Sequence, residues 1–351
     1  MHTVITLPTS ENLMRNSTPS LVRRALLVLA MAAGSTLSVQ AAAQSELLNV
    51  SYDVARELYK DINPAFIAAY KAQTGQSVTV KQSHGGSSKQ ARAVADGLEA
   101  SVVTMNQAND IDMLADRGLV AKDWARKFPN NAAPYYSTMV FLVRKGNPKR
   151  VRDWQDLARP GVQVIIPNPK TAGNGRYTYL AAWGSVIKKG GNEAQARELV
   201  GKIFKNVPIL DGGGRAATTT FTQRQIGDVL VTFENEVSMV RAEFGDDFAV
   251  VYPATSILAE SPVAVVDKVV DRRNVRQPAT AYLNYLYSPA GQEFGAKHYM
   301  RVRNETVMKK YAANYRPVSL FTVDEVFGGW RAAQKRHFDD GGEFDKIYQA
   351  K

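Results

Sequence analysis

The stretch LLNVSYDVARELY, residues 47–59, changes character in its middle. Residues 47–52 read as a buried strand, and Asp53 opens a helix that runs to about Gln73. The same strand-to-helix step recurs downstream. Residues 78–83 (VTVKQS) form a second strand, followed by a Gly/Ser turn and a helix from Ser87 to Asp96. Strand 101–105 and helix 109–117 complete a third unit. This βαβ rhythm is that of a parallel sheet covered by helices.

A Pro/Asn-rich loop, Pro129 to Pro134, precedes a new series. Strands are expected at 139–145, 162–166, 207–210 and 228–233, with helices from the turn NPKTAGNG (168–175) through Ile187, at 193–204, at 217–226 and at 235–244. The alternation breaks at Pro253 and Pro262, and residues 275–298 and 323–337 read as helical. The pattern predicts an α/β protein of two lobes, each a helix-covered mixed sheet, joined by a hinge. The chain is expected to cross between them near 135–140 and 255–262. Lobe one takes 44–137 plus 258–351, and lobe two takes 138–257.

The first 43 residues read as a cleaved export signal. Arg23 and Arg24 precede the short apolar run Ala25–Ala33, and Ala41-Ala42-Ala43 offers small residues for cleavage near Ala43. The run falls short of the about 20 strongly apolar residues of a spanning helix. The expected location is therefore the periplasm.

Composition removes much of the catalytic menu. The 351 residues include no cysteine, which excludes thiol nucleophiles, disulfides and CxxC metal sites. The four histidines (His2, His84, His298 and His337) share no metal-ligand spacing, so neither a metal nor a cofactor is expected. The net charge is +11, falling to +9 once residues 1–43 are removed. A positive field favours anionic ligands. No long Lys/Arg run or nucleic-acid motif accompanies it, so nucleic acid is not an expected partner.

One architectural feature points to a ligand. At Tyr52-Asp53, SHGGSSK (83–89), NPKTAGNGR (168–176) and DGGGRAATTT (211–220), a strand ends in a short turn that leads into a helix. Helix N-termini carry unpaired N–H groups and the positive end of the peptide dipoles, so they hold anions without a charged side chain. None of these turns has the Walker spacing, no GxGxxG follows the first strand, and Ser87 does not stand in a GxSxG motif. His84, three residues before Ser87, reads as a turn residue rather than a general base.

At these turns the sequence resembles the periplasmic sulfate- and thiosulfate-binding proteins of ABC importers. The strings that carry the resemblance span the chain after residue 44: LLNVSYDVARELY (47–59), KQSHGGSSKQA (81–91), FLVRKGNPK (141–149), NPKTAGNGRYTYLAAWG (168–184), GDVLVTFENE (227–236), VVDKVV (265–270), YLYSPAGQE (285–293) and DEVFGGW (324–330). The resemblance implies one dehydrated oxyanion bound between two lobes. It implies donors from the backbone N–H of Asp53, the hydroxyl of Ser87, the backbone N–H groups of Ala172, Gly173 and Asn174, and the N–H of Gly214. The sulfate-binding pattern has a hydroxyl donor at the position of Ala172 and an indole donor at that of Phe233; this chain supplies neither. Phe233 brings it closer to the thiosulfate-binding branch.

The chemistry agrees in kind. Sulfate and thiosulfate carry no proton at neutral pH, so a site of donors alone suits them, whereas phosphate needs an acceptor for its proton. Asp53, the candidate for such an acceptor, reads as a cap of its own helix. The expected function is a monomeric, non-enzymatic binding protein that delivers sulfate or thiosulfate to a membrane ABC permease. The alternatives are a binding protein for molybdate, phosphate or an organosulfonate, or a hydrolase of sulfate or phosphate esters.

Overall fold

A computed structural model describes residues 45–349; the expected export signal and its cleavage point lie outside them. Four sheets organise the described residues. In the first, β1 (Ser45–Tyr52) runs parallel between β2 (Val78–Gly85) and β3 (Val102–Thr104), with β12 (Val263–Val265) antiparallel beside β3. The helix Arg56–Thr74 buries Leu58, Tyr59, Ile62, Phe66 and Tyr70, a stripe at helical spacing. It stops at Gly75, whose φ of +73° suits a residue without Cβ.

The largest sheet has five strands. Its strands are β5 (Met139–Arg144), β6 (Val164–Pro167), β7 (Leu210–Asp211), β8 (Val229–Phe233) and β9 (Phe248–Val251). β6 lies parallel to β7 and β8, whereas β5 is antiparallel to β8 and β9, so the sheet is mixed. The helix Gly173–Lys188 is buried without interruption from Gly173 to Ser185.

The chain runs between the first sheet and the largest one through two neighbouring segments. β4 (Tyr135–Ser137) lies between β11 (Ala259–Ser261) and β13 (Arg301–Val302) in a three-stranded antiparallel sheet. After Thr138 the chain enters β5. On the return it runs through β10 (Thr255–Ile257) into β11. The Thr138 hydroxyl donates to the Ile257 carbonyl at 2.9 Å, tying the two crossings together.

Three helix expectations shift. The helix placed at 217–226 begins at Gly214 and ends at Thr222, because its glycine-led first turn carries no apolar periodicity. The segment 275–298 is two helices, Arg276–Tyr285 and Pro289–Lys297; the Ser288 hydroxyl caps the second through the Gly291 N–H at 3.1 Å. The segment 323–337 is interrupted at Gly328 and Gly329, both at positive φ.

The C-terminal stretch packs against helices and strands that follow the first sheet and the largest sheet alike. β14 (Ser319–Phe321) pairs in parallel with β10, and the Phe321 ring fills the place a side chain at Gly184 would take. Tyr179 Oη meets His337 Nδ1 at 3.0 Å, and Arg197 pairs with Glu343 at 2.6 Å. On the other side Arg331 grips Asp116 through two nitrogens at 2.8 and 2.9 Å.

Candidate functional site

The four turns singled out in the sequence meet in one place. After β1, Asp53–Ala55 form a single 3₁₀ turn before the long helix. The Asp53 carboxylate accepts the Val54 N–H at 3.0 Å and, from the fourth turn, the Arg215 N–H at 3.1 Å. It therefore ties the first turn to the fourth and, contrary to expectation, does not cap the long helix, whose N-cap is Ala55 with no side-chain cap bond. Burial pushes this carboxyl up, against the pull of those two amides.

Gly86 caps the helix Ser87–Ala95. A Cβ there would stand 2.7 Å from the Thr171 carbonyl and 2.9 Å from that of Gly212, so only glycine lets the second turn approach the third and fourth this closely. The Thr171 hydroxyl donates to the Gly212 carbonyl at 3.1 Å. Gly173 and Gly214 are the first residues of their helices. In such first turns the amides have no acceptor four residues back, and Gly173, Asn174 and Gly214 stand in those positions.

Two expected donors are committed elsewhere. The Ala172 N–H donates to the Asn168 carbonyl at 2.9 Å, closing the turn before the helix. The Ser87 hydroxyl donates to Asp110 Oδ2 at 2.5 Å, and Ser88 reaches Oδ1 of the same carboxylate at 2.8 Å. Phe233 is buried and meets Tyr177 edge-on, ring centres 5.9 Å apart. With Tyr52, Asn106 and Ser261 it lines a narrow pocket.

Positive charge stands back from the junction. Arg215 is exposed, with Glu57 at 3.9 Å. Arg176 is buried, donates through Nε to the Pro169 carbonyl at 2.8 Å and keeps its Nη1 4.0 Å from Asp110. His84 has both ring nitrogens engaged, Nδ1 with the Tyr52 carbonyl at 3.0 Å and Nε2 with Gln82 at 2.5 Å, so it makes no nucleophile–base pair with Ser87. Among the described residues no cluster of His, Asp or Glu is placed to hold a metal ion, and no helix is long and apolar enough to cross a membrane.

Sequence reasoning passed over a buried carboxyl group beside the fourth turn. Glu236 lies inside the quoted string GDVLVTFENE, where only its place in the fold gives it meaning. Both Thr218 and Thr232 hydrogen-bond to it, and Asn174 Nδ2 donates to Thr232 at 2.9 Å. Burial pushes the group up to about 7, with the Asp53 charge adding to the rise and the two threonine hydroxyls opposing it. The single hydrogen of Thr218 also reaches the Gly214 carbonyl at 3.1 Å. A protonated Glu236 donating to Thr218 satisfies both contacts at once.

A two-lobed α/β molecule with helix N-termini converging at one junction is built as a solute-binding protein. Residues 50–301 match the bacterial extracellular solute-binding proteins, and the chain belongs to that family. It is 60% identical over 320 residues to the thiosulfate-binding protein of Pseudomonas aeruginosa, spanning 91% of this chain and 96% of that one. It is 54% identical over 304 residues to the sulfate-binding protein of Escherichia coli K12, spanning 86% and 92%. Among solved structures it is similar to the sulfate-binding protein SubI of Mycobacterium tuberculosis H37Rv, with a TM-score of 0.76, 32% identity, and coverage of 84% of this chain and 100% of that one.

Proposed function

We propose that this chain binds sulfate and thiosulfate at the junction of the four turns and delivers them to an ABC permease. The carrying observation is the convergence of helix N-termini from both lobes, tied by Asp53 to Arg215 and by Thr171 to Gly212, with no cationic side chain at its centre. Free amides of Gly173, Asn174 and Gly214 stabilise a dianion through charge-assisted hydrogen bonds, and the helix dipoles add to them. The backbone N–H of Asp53 and the surroundings of Ser87, Ala172 and Phe233 complete the proposed shell.

On this reading the protein works as a monomer in the periplasm after cleavage near Ala43. The lobes meet at the crossings after Ser137 and Ile257, and 319–349 bridge them. Closure on the anion presents both lobes to the permease. Calorimetric titration with sulfate, thiosulfate, phosphate and molybdate tests the proposal. Saturable one-to-one binding of sulfate or thiosulfate, with phosphate at neutral pH far weaker, is the expected result. A chain that binds none of the four, or phosphate best, is not a sulfate or thiosulfate carrier.

A further inference from the structure

The expected side-chain donors do not reach the junction. Ala172 and Phe233 have no donor, and the Ser87 hydrogen is given to Asp110. Asn174 Nδ2 gives one of its two hydrogens to Thr232. A polar side chain that no motif singled out stands in their place.

Asn106 lies in the loop between β3 and the helix Ala108–Asp116. Its backbone N–H reaches Ser87 Oγ at 3.4 Å. Its carboxamide covers Gly173: a Cβ built there would lie 1.9 Å from Asn106 Oδ1 and 3.1 Å from Nδ2. Helical Cα–Cβ bonds tilt toward the N-terminus of the helix. The carboxamide therefore sits at the mouth of the helix Gly173–Lys188, on the side that its free amides face. The residue is only 5% exposed, and its Oδ1 has no hydrogen-bond partner. Leaving a buried acceptor unpaired is costly, and this one lies where the neighbouring groups are donors aimed at an anion.

We propose that Asn106 is a ligand-binding residue whose Nδ2 donates to the bound dianion, replacing the side-chain donors missing at Ala172 and Phe233. This rests on the sulfate/thiosulfate reading above. The two faces of a carboxamide exchange by a half-turn about Cβ–Cγ. An arriving dianion repels Oδ1 and attracts the NH2 group, so binding turns the donor inward. The same turn moves the unpaired oxygen away from the ligand.

Calorimetry with sulfate and thiosulfate on the wild type, Asn106→Ala and Asn106→Asp, together with thermal unfolding in the absence of either anion, tests this. Removing the donor lowers affinity for the preferred anion by about ten- to a hundredfold. Asn106→Asp has nearly the same shape but offers no donor, and it binds more weakly still. The anion-free melting temperature of Asn106→Ala stays level or rises, since an unpartnered acceptor has gone. Affinities within twofold of wild type in Asn106→Ala overturn the proposal. So does a loss of affinity matched by a fall in the anion-free melting temperature, which assigns the residue a purely structural role. A wild type that binds neither anion fails the reading of function itself, and this inference with it.

Discussion

Glu234 and Arg301 form a buried two-pronged ion pair between the helix after β8 and strand β13, with Nε–Oε2 at 2.6 Å and Nη2–Oε1 at 2.9 Å. Glu234 opens the helix after β8, its N–H donates to the Thr138 carbonyl at 2.9 Å, and Arg301 stands on β13. The pair therefore sits on the crossing itself. Removing one partner of such a pair strands the other charge in the interior, which costs about 3–5 kcal/mol. Arg301→Ala should lose that much in denaturant unfolding. Replacing both, with Arg301→Met and Glu234→Gln, should cost distinctly less.

Glu236 makes stability depend on pH in a definite direction. Its carboxyl is pushed from the ordinary 4.5 to about 7. The folded chain thus holds this proton over a range where the unfolded chain has released it. Stability from this group is fully present below about pH 4.5 and is lost as pH rises through 7, a total of about 3 kcal/mol. The Glu236→Gln variant keeps the shape and discards the titration. Wild-type minus variant unfolding energies, measured from pH 4 to 9, should fall across this window and level off above it.

The same proton bears on the ligand. Ionised, Glu236 adds a negative charge beside Gly214, with Asp53 as a second nearby carboxyl and Arg215 as the opposing cation. Anion affinity should weaken as pH rises through about 7, and binding near that pH should take up a proton, visible as a buffer-dependent calorimetric enthalpy. In Glu236→Gln the buffer dependence should shrink.

Gly86→Ala is a test of closure. Its added methyl meets two backbone carbonyls, at 2.7 and 2.9 Å, which belong to two other turns. Backbone cannot step aside as a side-chain end can. Affinity for sulfate and thiosulfate should fall at least tenfold, while far-UV circular dichroism stays that of the parent.

Which dianion wins turns on Ala172 and Phe233. Thiosulfate replaces one oxygen by a larger sulfur that accepts hydrogen bonds poorly, so a methyl and a phenyl ring penalise it less. Wild type should bind thiosulfate at least as tightly as sulfate. The double variant Ala172→Ser, Phe233→Trp should move the ratio toward sulfate by tenfold or more, since each donor to a charged group contributes about 1.5–3 kcal/mol. Titrations that leave the ratio unchanged exclude this account.

The order of elements was legible because each strand is a short apolar run and each helix after it carries a stripe, as in 47–52 followed by Leu58, Ile62 and Phe66. The four turns were legible for the same reason. What local sequence does not encode is partnership at a distance. Asp110 takes the Ser87 hydrogen from a helix 23 residues further on, and Asn106 reaches Gly173 across the junction. The antiparallel course of β5 and the path of 319–349 across both lobes are likewise decided by packing between segments far apart in the chain.

The bridge made by that last segment bears on how fast cargo leaves. Arg331 with Asp116 on one side, and Arg336 with Glu193 at 2.8 Å on the other, are solvent-exposed pairs. On the proposed reading, opening of the lobes would rupture one side of this pair of contacts. Exposed pairs weaken as salt is added, whereas hydrogen bonds to a desolvated anion are hardly screened. Residence time should therefore shorten with ionic strength more steeply in the parent than in Arg331→Ala. The two pairs would then act as a kinetic latch whose tension the surrounding electrolyte sets.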